Sequence, residues 1–73
     1  MQELRSSSTR ESILDTAEAL FAQQGHDGTS MRQITGAAGV NLASVNYHFG
    51  SKESLVQAVL KRRRDIVERL YGS

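Results

Sequence analysis

The sequence predicts an all-α domain of four helices, on three observations. Apolar residues recur at helical spacing, strand-like alternation is absent, and the chain holds six glycines but no proline, with most glycines standing where helices should end. With 73 residues there is room for one domain with a small core. The absence of cysteine removes disulfides and thiolate metal sites as sources of stability. No apolar run is long enough to span a bilayer, and the N-terminus lacks the apolar block of a signal peptide. The expectation is a cytoplasmic protein without membrane association.

Residues 1–7 are polar and Ser-rich and read as a flexible N-terminal tail, with a single domain over 8–73. Ser8 and Glu11 have capping-box spacing, which starts a first helix over about 9–24. Ile13, Leu14, Ala17, Leu20 and Phe21 form its apolar stripe, and Gly25 is the expected stop. His26-Asp27-Gly28 reads as a turn. A second capping box, Ser30 with Gln33, opens a short helix over 31–38 that buries Met31, Ile34 and Ala38. Gly39 closes it, and Val40 points into the core at the turn. Asn41 is an N-cap for a third helix over 42–48, with Val45 and Phe49 facing inward. Gly50 ends that helix and Ser51 caps a fourth, over 52–71. Its apolar stripe is Leu55, Val56, Val59, Leu60, Ile66, Val67, Leu70 and Tyr71.

Two short helices joined by a glycine-containing turn make a helix-turn-helix. The outward residues of the third helix add chemistry to that geometry. Ala43 and Ser44 are small enough for the backbone to approach a groove wall. Asn46 has the donor and acceptor to bond adenine, although plain exposure explains it equally well. Tyr47 and His48 can bond phosphate oxygens. Lys52 lies on the first turn of the fourth helix, where the dipole and free N–H groups favour an anion. Arg32 is an exposed residue of the second helix within reach of a nucleic acid.

Charge is unevenly spread. Residues 1–28 sum to −3 and residues 29–73 to +4, and no acidic residue lies between Gly28 and Lys52. A face built from that stretch approaches a polyanion without repulsion. The run Lys61-Arg62-Arg63-Arg64 covers every side of a helix and reads as solvated helix, not as a binding patch. His26 and Asp27 have no companions at metal-ligand spacing. No spacing assembles a nucleophile, base and orienting acid, and no phosphate loop is present, so neither an enzyme nor a cofactor is expected.

The stretch from Thr29 to Leu55, with its Ala38-Gly39-Val40 turn, Tyr47-His48-Phe49 and Ser51-Lys52-Glu53, resembles the signature of the tetracycline-repressor (TetR) family. The upstream Ile13-Leu14, Ala17, Leu20-Phe21 and Gly25 fit as well, so the resemblance covers roughly residues 9–60. It implies a homeodomain-like three-helix DNA-binding unit led by the fourth helix into a ligand-binding domain. It further implies a homodimer on an inverted-repeat operator of double-stranded DNA, released when a small-molecule effector binds the C-terminal domain. Carried over by position, the helix from Asn41 through Leu42, Ala43, Ser44 and Asn46 to His48 lies in the major groove. Ser30, Tyr47, His48 and Lys52 hold phosphates.

The chain departs from the family pattern at three positions. A basic or small polar residue followed by glycine is often found where this chain has Leu42 and Ala43, and an aromatic or leucine where it has Asn46. A leucine at position 42 either packs on a thymine methyl or turns inward. The 73 residues also stop after the fourth helix, so the ligand-binding domain is absent and a fragment is expected. The far apolar half of that helix supports an alternative function, a helical protein-interaction module that lays this face into a partner's groove.

Overall fold

The computed structural model describes the backbone of residues 2–72 and the side chains of residues 9–72. Four helices follow in order: α1 (Gln2–Gln24), α2 (Met31–Ala38), α3 (Leu42–His48) and α4 (Lys52–Tyr71). The last three have the bounds read from the sequence. The first does not. It starts at Gln2, so the stretch expected to be a tail is helical from residue 2, and Ser8 stands inside the helix rather than at its cap. The side chain of Ser8, and with it the expected capping box, lies outside the described residues. Residues 2–7 hold no proline or glycine, and extending an existing helix costs far less than nucleating one.

The other helix ends follow local chemistry. At the start of α2, Ser30 Oγ accepts from Gln33 N at 3.1 Å, and Gln33 Oε1 accepts from Ser30 N at 2.9 Å. Both halves of the capping box therefore form. Asn41 Oδ1 accepts from Ser44 N at 2.8 Å at the start of α3. Ser51 Oγ accepts from Ser54 N at 3.1 Å at the start of α4. The α2–α3 turn depends on Gly39, whose φ of 72° is left-handed. In that conformation Val40 N–H reaches back to Thr35 O at 3.1 Å, which closes the helix and redirects the chain.

The core is one cluster drawn from all four helices. Ile13, Leu14 and Ala17 of α1, Ile34 of α2, Val45 of α3, and Leu55 and Val59 of α4 are buried. Leu20, Phe21, Met31, Ala38, Val40, Phe49 and Ala58 pack around it, half-buried. Helix α1 is the hub, touching α2, α3 and α4, while α2 also packs on α3. Burial is thus confined to the first two turns of α4. Beyond Val59 its apolar residues Leu60, Ile66, Val67, Leu70 and Tyr71 are exposed. A 20-residue helix of about 30 Å outruns the body it packs against.

Two contacts lock this arrangement, and neither is evident from periodicity. Thr29 is a buried polar residue whose hydroxyl donates toward Gly25 O at 2.8 Å and Leu20 O at 3.3 Å. It bonds one carbonyl in the last turns of α1 and one just past its end, and ties that end to the start of α2. Arg62 of α4 reaches across to α1, where Nη1 donates to Glu11 Oε1 at 3.0 Å and to Asp15 Oδ1 at 2.8 Å. Its Nη2 donates to Glu18 Oε1 at 2.6 Å. The basic run is therefore not uniformly solvated, because Arg62 folds onto the seam while Lys61, Arg63 and Arg64 stay exposed. The three acids recur at four and three residues along α1, one face of a helix, and so call for a cation opposite. Burial pulls the Arg62 guanidinium down, but its hydrogen bonds to Glu18, Asp15 and Glu11 outweigh this, and the group ends above its ordinary value.

Candidate nucleic-acid interface

Helix α3 is held from inside by Val45, fully buried, and by Phe49 just past its end. Arg10 of α1 stacks its guanidinium 5.1 Å from the Phe49 ring centre, which pins the end of α3 to the hub. With those two residues facing in, a rotation of 100° per residue turns Ala43 and Tyr47 outward, four apart and one above the other. Tyr47 is 83% exposed. Its ring meets the His48 ring edge-on with centres 5.2 Å apart, so the two stand as a paired aromatic edge. His48 and Ser44 are half-buried on one flank, and Leu42 and Asn46 lie on the other, both exposed.

The sequence left two options for Leu42, and the structure takes the outward one. The residue is 46% exposed and is not among the side chains packed on the core. Asn41 serves first as the cap, with its carbonyl oxygen committed to Ser44 N. That leaves the amide NH2 as its available donor. Ser30 likewise spends its oxygen on Gln33 N, leaving a hydroxyl hydrogen to donate. Arg32, next along α2, is exposed. Lys52 is half-buried at the first residue of α4, directly after the Ser51 cap. The structure thus brings Asn41, Leu42, Ala43, Ser44, Asn46, Tyr47 and His48 together on one short helix. Ser30 and Arg32 stand on the helix before it, and Lys52 at the start of the helix after it.

Electrostatics favour an anion over this face. Neither α2 nor α3 carries an acidic residue in its first turn, so the positive end of each helix dipole is uncancelled. The acids of the described part of α1 and of the turn after it are occupied elsewhere. Glu11, Asp15 and Glu18 are bound to Arg62, Glu18 also lies 3.5 Å from Arg63, and Asp27 pairs with His26 at 3.2 Å. The seam between α1 and α4 therefore absorbs negative charge that would otherwise repel a polyanion. Among the described residues no group of His, Cys, Asp and Glu is placed to hold a metal ion, and no helix is long and apolar enough to cross a membrane.

A short helix, a glycine turn and a second short helix with an outward polar face, braced by a longer first helix, make up a helix-turn-helix domain. The family model described as bacterial regulatory proteins, tetR family, matches residues 13–59. The chain belongs to that family, whose N-terminal unit is a helix-turn-helix DNA-binding fold. The chain is similar to the HTH-type transcriptional repressor KstR2 of Rhodococcus jostii, 41% identical over 66 residues that cover 90% of the chain and 31% of the relative. The KstR2 protein of Mycolicibacterium smegmatis is 38% identical over 65 residues, 89% of the chain and 30% of the relative. IcaR of Staphylococcus aureus, a negative regulator of a biofilm operon, is 36% identical over 52 residues, 71% of the chain and 28% of the relative. The chain thus spans about a third of the length of the relatives it matches best among these.

Sequence reasoning missed two residues that position the interface. Thr29 has no periodic signature, because its role depends on two carbonyls at the end of another helix. Arg62 is hidden among four consecutive cations and emerges only when α1 is laid beside α4.

Proposed function

We propose that this chain binds double-stranded DNA in a sequence-specific manner, with α3 in the major groove, as the DNA-reading part of a transcriptional repressor. The carrying observation is the outward face of α3, which bears hydrogen-bonding side chains and no acidic group and is held from behind by Val45 and Phe49. Asn41, Leu42, Ala43, Ser44 and Asn46 face base edges. Tyr47, His48, Lys52, Ser30 and Arg32 hold phosphates on either side, which sets register without reading sequence. No catalytic step is assigned.

The regulated protein acts in the cytoplasm as a homodimer on an inverted repeat, and a small-molecule effector lowers its DNA affinity. The exposed apolar end of α4 supports this part of the reading, since Ile66, Val67, Leu70 and Tyr71 form a face suited to packing within a larger protein. The family assignment rests on residues 13–59, which hold the helix-turn-helix and stop short of that end. It therefore favours DNA binding over a stand-alone protein-interaction module.

The test is titration of a fluorescent duplex across a range of salt. Phosphate contacts make log affinity fall linearly with log salt, by about 0.9 per contact, and Lys52→Ala should flatten the slope by about one contact. Tyr47→Ala combined with Lys52→Ala should weaken binding without altering the melting curve. An affinity indifferent to salt, or to both substitutions, would refute the site.

A further inference from the structure

We infer that α3 reads A·T base pairs, with Leu42 and Ala43 packing on thymine methyl groups and Asn46 bonding an adenine, an inference that rests on the DNA-binding reading above. The reason lies in what the exposed face of α3 offers. It carries no arginine and no lysine, the side chains whose paired donors match the O6 and N7 acceptors of guanine. In their place stand two apolar side chains at the first two helical positions and one carboxamide a turn later.

The geometry groups these three. Leu42 and Asn46 are four apart and share a flank, and Ala43 lies between that flank and the outermost Tyr47. Leu42 is 46% exposed and is not among the side chains packed on the core. In the major groove the thymine C5-methyl is the apolar feature of a base edge, and removing both it and the leucine from water is favourable. Asn46 is exposed, and no side-chain hydrogen bond within the chain engages its carboxamide among those of the α3 region, which serve Asn41 and Ser44. Its donor and acceptor match N7 and N6 of adenine. Ser44 bonds either kind of pair and adds no preference. The nearby cations, Arg32 and Lys52, stand on α2 and α4 and not on the reading helix.

The experiment begins with selection from a random duplex pool at low salt, using the 73-residue chain, followed by sequencing. The enriched half-site should carry thymine and adenine in the positions facing α3. The enriched duplex is then remade with deoxyuridine for thymine, one position at a time, which deletes a single methyl group. At one position or more the chain should lose about fourfold in affinity, the effect of one buried methyl. Leu42→Ala should bind the thymine and uridine duplexes at that position equally, within about twofold. Asn46→Ala should relax the selection at an adenine. Both side chains are exposed, and melting curves confirm that the variants fold. A half-site built on guanines, or indifference to uridine at every position, overturns this inference and leaves DNA binding standing. If no duplex is retained at low salt, the DNA-binding reading and this inference fall together.

Discussion

Replacing Arg62 with methionine isolates the seam between α1 and α4, because methionine keeps most of the apolar stem and removes the guanidinium. Glu18, one-third exposed and 2.6 Å from Nη2, makes a charge-assisted hydrogen bond worth about 1.5 kcal/mol. Asp15 and Glu11, at 2.8 and 3.0 Å, are 71% and 57% exposed. At that exposure each is worth about 0.4 kcal/mol. Against these stands Arg62 Nε, buried with no hydrogen-bond partner. Its removal returns about 1 kcal/mol. The net loss is therefore about 1 kcal/mol, which lowers the melting temperature of a domain this size by about 4–8 °C. Thermal unfolding followed by circular dichroism reads it directly. In about 1 M salt, where screening acts over about 3 Å, the difference should shrink by roughly half. It should also shrink in a Glu18→Gln background, as coupled partners do. The Arg62 guanidinium is raised above its ordinary value. A raised group contributes in full below its unfolded value and is lost only in stronger alkali, so its own titration leaves stability flat through neutral pH. A variant that melts with the wild type at low salt, or a difference unmoved by both salt and Glu18→Gln, would refute the clamp.

The remaining predictions concern the supports of α2 and α3. Gly39→Ala should destabilise the chain by about 1 kcal/mol through its left-handed backbone alone, because no atom crowds the added carbon. Gly36→Ala, inside α2 with equally open space, should stabilise by about 0.5–1 kcal/mol, and urea unfolding of the pair tests the contrast in sign. Thr29→Val keeps the shape but strips the donor from Gly25 O and Leu20 O, so a loss of about 1–2 kcal/mol is expected by the same measurement. Asn41→Ala removes the α3 cap at a cost of about 1 kcal/mol, and because the cap also orients α3, duplex affinity should fall with it.

Local chemistry determined most of the helical frame from the sequence. Ser30 with Gln33, Asn41 and Ser51 each satisfy N–H groups within three residues of themselves, and Gly39 needs no partner to turn left-handed. The bounds of α2, α3 and α4 were legible for that reason, and so was the outward face of α3 once Val45 and Phe49 were set inside. The start of α1 was not, because a polar serine-rich stretch without a breaker leaves open whether a helix runs on through it. Only the tertiary structure decided that Arg62, with Arg63 beside it on Glu18, meets α1. Four consecutive residues point in four directions, and the choice falls to the position of α4 against acids 44 to 51 residues away. It also decided that Thr29 is buried and that Leu42 is not. Burial depends on what stands opposite a side chain, and that is set by how neighbouring helices pack, not by the residue's own spacing.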